Sequence, residues 1–160
     1  MAGGKKNAKH CGLPKRRREE LKAAWLRHAV KWKTLLNLHE FTFRYNFLYE
    51  AKKQDGGSAC TVYSNPLYFE ADFDVHMRVL KGLDDEEIEG VVVHEFVHVA
   101  LSMVCEWKKS VVKALPKAER ERYKESYRVA DEYSTSKIVG AILLMAPDDE
   151  PAKEPDEKPQ

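Results

Sequence analysis

The spacing of apolar residues changes along the chain and separates helical from extended segments. Between residues 17 and 36 the apolar side chains recur every three or four positions, which predicts an amphipathic helix. From residue 40 they alternate with polar side chains, which is typical of a half-buried strand. The alternating residues are Phe41, Phe43, Tyr45, Phe47 and Tyr49. The pattern therefore predicts a helix followed by an aromatic-rich strand.

Turn-forming residues at positions 54–58 predict a hairpin after this first strand. The sequence there is Gln-Asp-Gly-Gly-Ser, and residues 59–64 can return as a second strand. Pro66 precedes a third extended stretch at Leu67–Val75. Short strands joined in this way predict a small sheet, antiparallel or mixed.

Two further helices are predicted in the second half of the chain. Asp84 and Glu87 have the spacing of a capping box, and apolar residues recur at helical intervals from there to about Val112. A last helix is predicted from Lys117 to Met145. The order helix, strands, helix, helix predicts an α+β fold in which the helices pack on one face of a short sheet.

The length of the chain predicts one domain, and the distribution of charge predicts a basic N-terminal segment and an acidic C-terminal segment. A chain of 160 residues can bury one core, and its net charge is only +1. However, residues 1–22 contain eight basic and two acidic side chains, whereas residues 147–160 contain six acidic and two basic ones. We therefore expect a flexible basic arm at 1–14, one domain at 15–146 and a disordered acidic tail at 147–160.

Cysteine usage and hydropathy favour a cytoplasmic location. The three cysteines show no CxxC spacing, which indicates neither a disulfide framework nor a cysteine-bound zinc ion. No apolar run is long enough to cross a bilayer or to act as a secretory signal, so no membrane association is expected. The basic cluster Lys15–Arg18 could contact nucleic acid, but a solvated start of a helix is the simpler interpretation.

The second predicted helix contains the sequence His94-Glu95-Phe96-Val97-His98. Residues four apart lie one turn apart on a helix, so both imidazoles can bind one zinc ion at about 2.0–2.1 Å. Glu95 projects beside that ion and can act as general base toward a water whose pKa zinc lowers to about 7. The neighbours on both sides are apolar, and buried charges without a partner are costly. A zinc site is the simplest explanation of this pattern.

A catalytic zinc ion with two histidine ligands needs one more protein ligand. Positions 102 and 104, where related patterns place a third histidine, are Ser102 and Val104. The ligand is expected to be a carboxylate on the last helix, either Asp131 or Glu132, with Glu125 as a further alternative. A rotation of about 100° per residue puts Ser134 and Ile138 on the expected buried face, Asp131 at its edge and Glu132 nearly opposite.

On these residues the chain resembles small gluzincin-like zinc metallopeptidases of compact bacterial and phage proteins. The similarity covers roughly residues 30–146, although Ser136 stands where the family pattern has an aspartate. The resemblance implies a zincin-like fold, one zinc ion per chain and hydrolysis of a peptide or protein substrate. It also favours Glu132 as the third ligand, so Asp131 and Glu132 both stay open. It further implies that the substrate pairs with an edge strand at Leu67–Val75.

A second hypothesis comes from a different functional class. The chain could be a catalytically inactive zincin-fold binding or regulatory protein, with a structural zinc ion and a protein or nucleic-acid partner. In that case Glu95 would have no catalytic role.

Overall fold

The computed structural model describes residues 12–49 and 57–145, which form an α+β fold of five helices and three strands. The predicted arm up to residue 11, the turn residues 54–56 and the predicted tail lie outside the described residues. The helices are α1 (Lys15–Leu35), α2 (Met77–Leu80), α3 (Asp85–Ala100), α4 (Ser102–Ala114) and α5 (Lys117–Met145). The strands are β1 (Thr42–Leu48), β2 (Cys60–Asn65) and β3 (Glu70–His76).

The three strands form one mixed sheet in the order β1-β3-β2. Strand β1 runs parallel to β3, with Phe43 opposite Ala71, and β2 runs antiparallel to β3, with Cys60 opposite Val75. The predicted hairpin between the first two strands is therefore wrong. The local turn signal was compatible with a reversal there, but β3 lies between the two strands and pairs with both.

The expectation that Leu67–Val75 contains the edge strand is also wrong, because β3 is the central strand. Its inward residues Ala71, Phe73 and Val75 are fully buried. Burial of this degree is typical of a central strand, which has hydrogen-bonded neighbours on both sides. The two edges of the sheet are β1 and β2. Strand β2 packs against α3.

The core lies between one face of the sheet and the helices α1 and α3. The aromatic alternation of β1 directs Phe43 inward, where its ring lies 4.9 Å from that of Phe96 on α3. The ring of Phe73 on β3 also packs against Phe96, with 5.3 Å between the two ring centroids. The opposite face carries polar pairs such as Arg44 with Asp72, whose Nε–Oδ1 distance is 2.6 Å. The predicted packing of helices on one face is confirmed.

The helix predicted to continue to Val112 is interrupted. Helix α3 ends at Ala100, and α4 starts at Ser102 with a bend of 55° between the two axes. Among residues 12–49 and 57–145, no single helix has the length and apolar character needed to cross a membrane. The bent pair α3 and α4 meets that test only when both are counted together.

Helix α5 has the predicted bounds but a different buried side. Thr135 and Val139 are buried against the core, whereas Ser134 and Ile138, which were expected to face inward, are exposed. The helix is therefore rotated by one residue, or about 100°, relative to the expectation. This rotation decides which carboxylate of α5 points toward α3.

Candidate metal centre

Helix α3 holds the His94-Glu95-Phe96-Val97-His98 motif in a rigid position. Its first turn is closed by the predicted capping box: Asp84 accepts a hydrogen bond from the Glu87 amide, and Glu87 accepts one from the Asp84 amide, both at 2.9 Å. Farther along, Val93, Phe96 and Val97 are buried in the core. The helix is therefore fixed at its start and along its apolar side.

Three side chains converge at one point between α3 and α5. The Nε2 atoms of His94 and His98 lie 3.1 Å apart. Glu132 on α5 places Oε2 at 3.5 Å from His94 Nε2 and Oε1 at 3.7 Å from His98 Nε2. One ligand atom from each residue falls in a group whose members all lie within 4.8 Å of one another.

These spacings suit a tetrahedral zinc ion. Ligand atoms at 2.0–2.1 Å from a tetrahedral centre are separated from one another by about 3.3–3.4 Å. The Nε2–Nε2 separation of 3.1 Å is close to that value, and the two oxygens of Glu132 lie 3.5 Å from His94 Nε2 and 3.7 Å from His98 Nε2, respectively. Two imidazole nitrogens and one carboxylate are also a donor set that catalytic zinc sites use, with a fourth position left for water.

Asp131 lies beside this group but interacts elsewhere. Its carboxylate forms an ion pair with Lys108 on α4, and its Oδ2 lies 3.6 Å from the thiol sulfur of Cys105. Of the two carboxylates that the sequence left open, the structure thus brings Glu132 to the imidazoles and directs Asp131 toward α4. The one-residue rotation of α5 accounts for the difference.

Glu95 is buried next to the imidazoles, with 8% of its surface exposed. Burial raises the pKa of its carboxyl to about 8 in the metal-free protein, and repulsion by the Glu132 carboxylate adds to the effect. A cation bound by the neighbouring groups would favour the ionised form and lower this pKa. Glu95 is therefore a carboxylate whose protonation depends strongly on its surroundings, as a general base requires.

Burial also affects His98. It lowers the pKa of the imidazole, and the neighbouring His94 ring lowers it further. The neutral imidazole is the form that binds metal ions. Both effects therefore favour metal binding over protonation at this position.

Two open cavities meet at His94 and Glu95. One, of about 400 Å³, is lined by the three converging side chains, Glu95 and residues of β2. The other, of about 420 Å³, continues past Ala59, Leu83 and Val91. Ser58 and Cys60 line both cavities together with His94 and Glu95, so a trough runs along β2 past the candidate centre.

The contribution of β2 was missed by sequence reasoning. Cys60 is buried in the wall of the trough, and burial, reinforced by the nearby Glu95, raises the pKa of its thiol. No local pattern marks it, because its position depends on β3 pairing between β1 and β2. Strand order is a non-local property that residue spacing along one strand does not encode.

Comparison with known proteins adds no relative to this picture. No protein-family model matches the chain, and no match was found among curated proteins or among solved structures. The resemblance to gluzincin-like metallopeptidases therefore rests on the residues described above.

Proposed function

We propose that this protein is a zinc-dependent peptidase in which His94, His98 and Glu132 hold the metal and Glu95 acts as general base. The observation that carries the proposal is the convergence of the three ligand atoms within 4.8 Å beside a buried glutamate. Two imidazoles and a carboxylate with one coordination position left over are typical of catalytic rather than purely structural zinc sites.

The chemistry divides between the metal and the protein. A bound zinc ion would supply Lewis acidity, which makes water a nucleophile near neutral pH and polarises the carbonyl of the scissile bond. Glu95 accepts the proton of the attacking water and later donates it to the leaving amine nitrogen. Only 8% of its surface is exposed, and it lines the same cavity as His94 and His98.

The substrate would lie along β2. This strand pairs with β3 on one side, and among the described residues no strand pairs with its other side. An extended peptide could form main-chain hydrogen bonds with that open edge and pass through the trough beside Glu95. Strand β2 thus takes the role that the sequence had led us to expect of Leu67–Val75.

The test combines metal analysis with cleavage of a peptide library. Purified protein, prepared without chelators and supplied with zinc, should contain one zinc ion per chain and cleave peptides. Glu95→Gln should keep the zinc and lose activity by at least about 100-fold, the lower end of what general base catalysis contributes. Glu86→Gln is the matched control, because Glu86 lies exposed on the same helix and lines neither cavity of the trough.

Three outcomes separate the hypotheses. Zinc in both variants with activity lost only in Glu95→Gln would support the peptidase. Equal cleavage by wild type and Glu95→Gln would refute the role of Glu95. Stoichiometric zinc without any cleavage would favour the alternative of a binding or regulatory protein with structural zinc.

A further inference from the structure

A third cavity, of about 430 Å³, lies between α4 and α5 and has an unusual lining. Ten of the described residues line it; six of these are basic and one, Asp131, is acidic. The six are Lys108, Lys109, Lys113, Arg120, Lys124 and Arg128. We call this cavity the basic cleft.

The basic residues come from facing sides of two helices. On α5, Arg120, Lys124 and Arg128 are spaced four apart and therefore form one stripe along the side that faces α4. Helix α4 contributes three lysines from its last two turns and the apolar side chain of Val112. The cleft thus has an apolar floor between two rows of cations.

Several of these cations are available to a ligand. Lys124 and Arg128 pair with Glu121 and Glu125 on their own helix, at 2.6 and 2.7 Å. Exposed pairs of this kind contribute little, so a ligand carboxylate can replace the internal partner at low cost. Lys113 makes no ion pair with an acid among the described residues, and its side chain is exposed.

Other groups of the cleft are held in place. The Arg120 guanidinium donates hydrogen bonds to the carbonyl oxygens of Leu115 and Lys113, both at 2.9 Å, and so joins α5 to the end of α4. Lys108 is fixed by its ion pair with Asp131. The cleft is therefore a formed site with a few exchangeable cations, rather than a set of unconnected surface lysines.

The basic cleft is continuous with the candidate metal centre. Cys105 and Asp131 line both this cavity and the one that contains His94, Glu95 and Glu132. A polypeptide that passes the metal centre can thus extend into the basic cleft without leaving the protein surface.

We propose that the basic cleft binds acidic side chains of the polypeptide substrate, which makes the protein selective for acidic sequences. The expected selectivity of cleavage rests on the proposed peptidase function, whereas the expected binding of acidic peptides does not. An acidic polypeptide suits the site better than a nucleic acid for two reasons. The apolar floor accepts aliphatic side chains, and the cleft is continuous with the trough in which the proposed peptide substrate lies.

The helix geometry sets the distance between the two sites. Arg128, Lys124 and Arg120 precede Glu132 by one, two and three steps of four residues, which correspond to about 6, 12 and 18 Å along α5. An extended peptide advances about 3.3 Å per residue. Acidic residues about two to five positions from the scissile bond would therefore reach these cations.

Binding is tested with the full chain carrying Glu95→Gln and supplied with zinc, so that the probe is not cleaved. The probe is a fluorescein-labelled decapeptide with three central glutamates, and its counterpart has glutamines instead. Fluorescence anisotropy should show about tenfold tighter binding of the glutamate peptide, the factor given by two exposed charge pairs. The preference should weaken as salt is raised, because exposed charges are screened.

Variants locate the binding site. Adding Lys113→Gln and Lys124→Gln should weaken binding of the glutamate peptide by up to about tenfold and leave the glutamine peptide unaffected. The matched control is Arg78→Gln with Lys81→Gln, which removes the same charge from exposed positions that line neither cavity. Circular dichroism of both double variants checks that the fold is retained.

Equal binding of the two peptides, or equal loss in both double variants, would overturn the inference. So would displacement of the peptide by a single-stranded ten-nucleotide DNA at lower concentration than by unlabelled peptide. The two proposals fail separately. Cleavage of neutral and acidic peptides at equal rates would refute the selectivity and leave the peptidase, whereas acid-selective binding without any cleavage by wild type would support the cleft and refute the peptidase.

Discussion

Replacing the carboxylates of Glu132 and Asp131 one at a time distinguishes an effect on metal binding from an effect on folding. The two residues are neighbours on α5 and differ by one methylene group, yet their carboxylates have different surroundings. Glu132 lies within 3.7 Å of both imidazole nitrogens, and 53% of its side chain is exposed. Asp131 is only 24% exposed and pairs with Lys108. Glu132→Gln and Asp131→Asn are therefore a matched pair of isosteric substitutions.

The expected effects differ in size and in kind. Groups that only orient a zinc ligand change metal affinity by about 10–100-fold when mutated. Loss of the carboxylate ligand itself in Glu132→Gln should therefore cost at least about 100-fold, or about 2.7 kcal/mol. Asp131→Asn should leave zinc affinity within about threefold and lower the free energy of unfolding by at most about 1 kcal/mol, because its ion pair is partly exposed.

Zinc affinity is measured by competition with a chromophoric chelator at constant pH, and unfolding by urea titration of the metal-free proteins. The metal-free Glu132→Gln protein should unfold at about the same urea concentration as wild type, since the Glu132 side chain is 53% exposed and an exposed charge contributes little to stability. An equal loss of zinc affinity in both variants, or a larger loss in Asp131→Asn, would show that the observed rotation of α5 does not describe the metal-bound protein.

Three further results are expected. Glu89→Ala should lower the free energy of unfolding by about 1–3 kcal/mol, because the buried Trp32 Nε1, which donates a hydrogen bond to Glu89 at 2.7 Å, loses its acceptor. Urea denaturation measures this loss. As a control, the exposed Glu86→Ala should change the free energy of unfolding by less than about 0.5 kcal/mol. Asp84→Ala should cost about 0.5–2 kcal/mol in the same assay by removing the cap of α3, and a neutral result would contradict that role. Free zinc at one hundred times its Kd should stabilise wild type by about 2.7 kcal/mol in thermal unfolding, reversibly with a chelator, and stabilisation of His94→Ala by the same amount would place the metal elsewhere.

Features that depend on neighbouring residues in the chain were predictable from the sequence. The helical period of α1, the alternation of β1 and the cap formed by Asp84 and Glu87 are local, and the structure confirms all three. The pairing of His94 with His98 follows from helix geometry alone. These local features predict the part of the candidate site that lies on α3.

Features that depend on packing between distant elements were not predictable in this way. The alternation of β1 and β3 identifies them as strands, but it carries no information about whether β2 or β3 lies in the centre. On α5 the apolar residues are few and several of them are exposed, so the period gave a face rotated by one residue. That single step changes whether Asp131 or Glu132 points toward α3.

The candidate metal centre and the position of α5 depend on each other. The first half of α5 is largely exposed, and the helix contacts the core mainly through Thr135 and Val139, which lie one and two turns beyond Asp131. Those two contacts set the rotation that brings Glu132 to the imidazoles. A metal ion bound by two histidines of α3 and one glutamate of α5 would in turn join the two helices across the trough. Because the same helix carries Arg120, Lys124 and Arg128, its rotation also aligns the basic cleft with the metal centre.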